Sequence, residues 1–220
     1  MKSNIKALIF DLDGTLADTI PAITEAVNMV LNELKLPIRS EKEIQSFIGR
    51  GPRHLISRSL NHDNHTPDEK LVDKALAMYD LAYKETYMHT QSLYDGIEDA
   101  LLSLSKQYKI AVLSNKQDEY VNALVNQLLP AGICQIAMGS IKGVPAKPEP
   151  TLALKLAEDL YVTPNECILI GDSDIDIFTA KNAGFKVLSV SWGYQSKEHL
   201  VQSGASHIID SPNELAEYFR

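Results

Sequence analysis

The sequence predicts an α/β fold, a parallel sheet flanked by helices, with a helical insertion after the first strand. Three observations carry this reading. Short apolar runs alternate along the chain with stretches whose apolar residues repeat at helical spacing. The runs are apolar at nearly every position, as in strands buried on both faces. The stretch between the first two runs, about residues 17–93, is too long for a simple crossover and reads as helical.

Taken in order, residues 5–10 form the first strand, and helices follow over 21–34, 41–47, 52–60 and 68–88. Residues 61–67 carry breakers and read as a loop. Thereafter helices over 96–107, 119–129, 150–160, 175–182 and 197–203 alternate with strands over 109–113, 167–170, 186–189 and 207–209, and with a weaker strand over 133–138. The expected division is a core of residues 1–16 and 94–220 and an inserted helical domain of residues 17–93. In open parallel sheets, ligands bind beyond the carboxyl ends of the strands. Asp11, Ser114 and Asp172 should all lie there.

Composition sets limits. A chain of 220 residues, 45% hydrophobic, can build a full core. Its net charge of −8 argues against a nucleic-acid partner, although a cation and a few donors can still gather anions at one site. Cys134 and Cys167 lack metal spacing and read as small core residues in a reducing compartment. No stretch is long and apolar enough for a signal segment or a membrane span, so a soluble cytoplasmic protein is expected. Asn64-His65-Thr66 matches a glycosylation sequon, which without a secretion signal is read as chance.

The chemistry sits where apolar runs end. Ala7-Leu8-Ile9-Phe10 leads into Asp11-Leu12-Asp13-Gly14-Thr15-Leu16. Alternate strand residues point the same way, so Asp11 and Asp13 can face one site. Carboxylates held so close repel, and a divalent cation or a shared proton relieves them. An Asp-Gly turn accounts for Asp13-Gly14 but leaves Asp11 unexplained. Leu113-Ser114-Asn115-Lys116 places a hydroxyl and an amide where phosphate oxygens can bind, although Ser-Asn also suits a helix cap. Lys147-Pro148-Glu149-Pro150 sets a lysine at a helix start. Gly171-Asp172-Ser173-Asp174-Ile175-Asp176 puts three carboxylates within five residues. A helix dipole accounts for one or two of them, hardly for all three.

These four segments, in this order, resemble the motifs of the haloacid dehalogenase superfamily, in particular its phosphatase branch with Asp-x-Asp-Gly-Thr. The resemblance spans Asp11 to Asp176. It implies a Rossmann-like core with a helical cap inserted after the first strand. It further implies that Asp11 is the nucleophile and Asp13 the general acid/base, and that Ser114, Asn115 and Lys147 bind phosphate. Mg²⁺ would sit among Asp11, Asp13, Asp172 and Asp176, with Asp172 a direct ligand. Ser114-Asn115-Lys116, Trp192-Gly193-Tyr194 and the C-terminal Gly204-Ala205-Ser206-His207 look like the phosphoglycolate phosphatase-like branch. Leu93-Tyr94-Asp95-Gly96 departs from it, since relatives carry Pro before Gly.

The implied function is a Mg²⁺-dependent phosphatase acting on a small phosphomonoester. Pyrophosphatase and nucleotidase activities are alternatives on the same scaffold. A phosphosugar mutase fits less well: such mutases resemble Asp-x-Asp-Gly-Val followed by a His in the first cap helix, whereas this chain has Thr15 and no His over residues 18–23. The implied partner is a small phosphorylated metabolite, with no nucleic acid and no membrane. Within the insertion, Gly49-Arg50-Gly51-Pro52 is either a solvated turn or a loop whose Arg50 meets an anionic substrate tail.

Overall fold

The structure is a computed structural model that describes residues 4–62, 66–89 and 91–220. Asn64 and His65 of the sequon, and with them part of the expected 61–67 loop, lie outside the described residues. In chain order the first elements are β1 (Ala7–Phe10), β2 (Ala17–Asp18), α1 (Ile20–Glu33), α2 (Glu41–Gln45), α3 (Pro52–Leu60), α4 (Glu69–Thr86) and β3 (Ser92–Leu93). There follow α5 (Ile97–Leu104), β4 (Lys109–Gln117), α6 (Asp118–Leu128), β5 (Cys134–Ser140), α7 (Thr151–Asp159), β6 (Cys167–Gly171) and α8 (Asp174–Ala183). The chain closes with β7 (Lys186–Val190), α9 (Lys197–Gln202), β8 (Ile208–Ile209) and α10 (Glu214–Tyr218). It forms two compact units, Met1–Ala17 with Leu93–Arg220, and Asp18–Ser92.

The first unit is the expected α/β layer. Its six strands run parallel in the order β5-β4-β1-β6-β7-β8. All four residues of β1 are fully buried, because this strand lies between two others and has covered faces. One face packs Ile9, Ala111, Leu113 and Leu169 against Leu152, Leu156 and Leu160 from α7 and its end. Every strand read from an apolar run is present. The two-residue strands β2 and β3, which pair with each other, and the short helix α10 had no usable sequence signal.

Strand β4 differs from expectation in a way that shapes the site. It was expected to stop at Leu113 but runs to Gln117, with a register shift against β5 between Leu113 and Gln117. Ser114 and Asn115 therefore lie in an irregular strand end, and the helix-cap reading for them is set aside. Gln117 is the N-cap residue of α6. Asp118 Oδ1 accepts from Gly139 N at 2.7 Å and ties that helix start to β5.

Among its described residues, the second unit carries the helices α1 to α4. In α1 the buried residues Ile23, Ala26, Val27, Val30 and Leu31 fall three and four apart, as one helix face requires. Helix α4 offers Val72, Ala75, Tyr79 and Tyr83 in the same rhythm. Thr86 Oγ1 donates to Ala22 O at 3.1 Å, joining the end of α4 to the start of α1. A capping box of Ser40 and Glu43 starts α2. Arg39 crosses from there to α3, donating to Ser59 O at 3.2 Å and to Asn61 O.

The α7 face provides a direct check on the core. Leu156 is fully buried while Leu154 on the same helix is 40% exposed. Leu156→Ala should lower unfolding free energy by about 2–5 kcal/mol, and Leu154→Ala by about 0.5 kcal/mol or less, read from urea denaturation. Equal losses would mean that α7 does not pack as described.

Candidate active site

Strand register gathers the expected residues at one edge. Phe10 pairs with Val112 of β4 and Ile170 of β6. The residues that follow these three positions therefore emerge together at the carboxyl end of the sheet. Asp11 N extends the ladder by donating to Ile170 O at 2.9 Å, and Asp11 Oδ1 accepts from Leu12 N at 2.7 Å. Asp11, Asp172 and Asp176 are all buried, and one carboxylate oxygen of each lies within 4.8 Å of the others. Gly14 turns the chain away at φ 82°, and a Cβ there would come within 2.5 Å of Asp172 Oδ2. Only glycine meets both conditions.

Lys147 is the local counter-charge. Its Nζ lies 3.1 Å from Asp11 Oδ1 and 2.7 Å from Asp176 Oδ1. Burial works against its positive charge, but Asp11 and Asp176 outweigh it and raise the ammonium above its ordinary value. Burial also pushes the Asp11 carboxyl well above the usual range; Lys147 opposes this, and Asp176, Asp172 and Asp13 add to it. Asp172 is raised to about 7, chiefly by burial and then by Asp176, against hydrogen bonds from Tyr194 N and Thr15 Oγ1.

Three carboxylates facing one ammonium leave a charge of −2 when all are ionised. An all-oxygen donor set with that charge suits a hard divalent cation. The raised Asp11 and Asp172 carboxyls are what such a site looks like before the cation's field is added. The residues present therefore fit a metal of the Mg²⁺ class.

Two expected residues take different positions. Asp13, expected among the metal ligands, has its carboxylate outside this group. It pairs with Lys116, Nζ to Oδ1 at 3.0 Å, and both side chains are largely buried. Asn115, expected on phosphate, commits its amide to the main chain of Lys147. Its Nδ2 donates to Lys147 O, and its Oδ1 accepts from Lys147 N, both at 2.9 Å. Asn115 thus places the lysine. Ser114 is buried, and its Oγ accepts from Lys116 N at 3.2 Å.

The Asp-rich segment also resolves into separate tasks. Ser173 caps α8 in a box with Asp176, whose Oδ2 accepts from Ser173 Oγ at 2.6 Å and from Ser173 N at 3.2 Å. Asp174 pairs with Gln195. Arg50 belongs to the second unit and is exposed in a bend between Gly49 and Gly51, whose φ values are 108° and 82°.

Lys116 was legible as part of Ser114-Asn115-Lys116 but received no role from the sequence. The contacts of Thr15 with Asp172 and Trp192 were not legible, because they join segments more than 150 positions apart, and those of Tyr194 and Gln195, 22 and 21 positions long, leave no local pattern. Among the described residues, Asp11, Asp172 and Asp176 are the cluster able to hold a metal ion.

A family model described as Haloacid dehalogenase-like hydrolase matches residues 8–190. The phosphoglycolate phosphatase of Nitrosospira multiformis is 32% identical over 212 residues, covering 94% of this chain and 92% of its own length. That of Pseudomonas putida is 31% identical, covering 93% of this chain and 76% of its own length. A crystal structure from Lactobacillus delbrueckii subsp. bulgaricus, provisionally named a phosphoglycolate phosphatase, superposes with a TM-score of 0.92. It is 30% identical and covers 98% of both chains.

The raised carboxyls carry a stability prediction. Asp172 titrates near 3.8 when unfolded and near 7 when folded, so between these values the folded protein holds a proton that the unfolded chain has released. Stability without metal is therefore greatest below the unfolded value and falls as pH rises towards 7. Asp11 acts in the same direction. Glu43, held at about 2 mainly by the Ser40 backbone N–H, gives a contribution that is already complete above pH 4.5. In EDTA, the melting temperature should fall from pH 5 to pH 7.5, and added Mg²⁺ should raise it more at the higher pH. A melting temperature flat across this window, with equal Mg²⁺ effects at both ends, would contradict the burial of Asp172.

Proposed function

The chain belongs to the haloacid dehalogenase-like hydrolase family, and from that membership we propose that it is a Mg²⁺-dependent phosphatase acting on a small phosphomonoester of the phosphoglycolate type. The observation that carries this reading is the pair of carboxylates after β1 in two unlike surroundings. Asp11 lies in the buried cluster with Lys147, and Asp13 lies outside it with Lys116.

In this reading, an Asp11 oxygen attacks phosphorus, and the bond from phosphorus to the leaving oxygen breaks. Asp13 gives its proton to that oxygen, then takes one from the water that hydrolyses the aspartyl-phosphate. Lys147 balances the charge of nucleophile and phosphoryl group, and Ser114 holds a phosphoryl oxygen. Asp11, Asp172 and Asp176 would hold Mg²⁺, which supplies positive charge where charge develops on the phosphoryl oxygens. The substrate class rests on the phosphoglycolate phosphatase relatives. A cytoplasmic location is part of the proposal; among the described residues no helix is long and apolar enough to cross a membrane.

A screen of phosphoglycolate, pyrophosphate, nucleotides and sugar phosphates, ranked by kcat/KM, tests the substrate class, and a nucleotide or pyrophosphate at the head would replace it. Asp11→Asn should abolish turnover, because an amide cannot form the acyl phosphate. Asp13→Asn should slow turnover about a hundredfold or more. Retained hydrolysis in folded Asp11→Asn protein would overturn the mechanism. We place Arg50 on the part of the substrate that is not transferred. Arg50→Ala should then lower kcat/KM for the preferred substrate more than for an artificial ester lacking an anionic tail. Equal effects on both esters would make the Arg50 loop a solvated turn.

A further inference from the structure

The segment after β7 reaches one member of the acidic cluster, Asp172, and also Thr15 and Asp174, although none of its own residues belongs to the cluster. Tyr194 N donates to Asp172 Oδ2 at 2.7 Å. Trp192 Nε1 donates to Thr15 O at 3.1 Å, and Thr15 Oγ1 donates to Asp172 Oδ1 at 3.0 Å. Gln195 Oε1 accepts from Asp174 N at 2.8 Å, and its Nε2 donates to Asp174 Oδ1 at 2.9 Å. Between them, Gly193 passes so close that a Cβ would collide with the Asp172 side chain and with Gly14 O. Each oxygen of Asp172 thus accepts from a residue outside its own segment, Oδ1 from Thr15 and Oδ2 from Tyr194.

The geometry points to Thr15 and residues 192–195 as positioning residues that set the aim of Asp172 and with it the protein's affinity for a divalent cation. This inference rests on the metal reading of the acidic cluster but adds residues outside that cluster. The physical argument is one of pre-organisation. A buried carboxylate beside two others swings away from them unless its oxygens are fixed. Thr15 and Tyr194 grip one oxygen each, which restricts rotation of the carboxylate. The chain's single tryptophan acts one step further out: its N–H holds the main chain of Thr15, so that the hydroxyl stays on Asp172. Partners at this remove tune metal sites in general, with losses of about 10- to 100-fold in affinity when they are removed.

The test is direct Mg²⁺ binding by calorimetry on the purified full chain without substrate. Thr15→Val keeps the shape and removes the hydroxyl, and should weaken Mg²⁺ about tenfold or more. Thr15→Ser returns the hydroxyl and should restore most of the affinity, a rescue that a purely structural role would not produce. Trp192→Phe keeps the ring and removes the N–H, and should weaken binding in the same direction by a smaller factor. In a phosphatase assay, the Mg²⁺ concentration for half-maximal rate should rise while kcat at saturating Mg²⁺ recovers. If the unaltered protein binds no Mg²⁺, the proposed function fails first. If it binds Mg²⁺ while Thr15→Val and Trp192→Phe bind equally well, or Thr15→Ser gives no rescue, the positioning role is overturned. Should Thr15→Val fail to fold, Trp192→Phe alone decides between these outcomes.

Discussion

Like-charge repulsion in a buried place is the constraint on which the rest of this structure depends. Asp11, Asp172 and Asp176 are all but hidden from water, and a lone charge in such a place costs several kcal/mol. Lys147 offsets part of that cost by standing between Asp11 and Asp176. Burial still leaves Asp11 and Asp172 raised, so protons take up what Lys147 cannot. A divalent cation would displace those protons and restore the carboxylate form that a nucleophile needs. The same feature that weakens the metal-free protein thus makes the proposed chemistry depend on the metal.

The scaffold serves that cluster. Parallel register brings the ends of β1, β4 and β6 to one edge, and each strand end delivers one part of the site. Asn115 shows how little is left to chance. Its amide grips both the N–H and the carbonyl of Lys147, so the counter-charge is fixed from a neighbouring strand. Ser173 does the same for Asp176 by making it part of a helix cap. A carboxylate with a structural task at the helix start cannot rotate out of the cluster.

Most of this was legible in the sequence where chemistry follows an apolar run. The β strands, the paired Asp11 and Asp13, the Asp172 segment and Lys147 all stood out, because buried strands and clustered charge leave local marks. What stayed hidden depends on distance along the chain. The pairing of Asp13 with Lys116 and the turn of Asn115 towards Lys147 follow from the irregular end of β4, which no local pattern signalled. The hold of Trp192 on the first loop joins residues 177 positions apart. Strands β2 and β3 and helix α10 were too short for any periodicity to register.

The two lysines make the final distinction. Lys147 is shared between two carboxylates, whereas Lys116 faces Asp13. Asp11 and Asp13 are two residues apart and chemically identical, so only their surroundings can give them different work. The buried cluster suits a group that must carry charge towards phosphorus. Asp13, outside the cluster and beside Lys116 of β4, is the carboxylate left for proton transfer in the proposed mechanism. Moving Lys116 or Lys147 would blur that division even if every aspartate stayed in place, because the division is made by the cations and by burial.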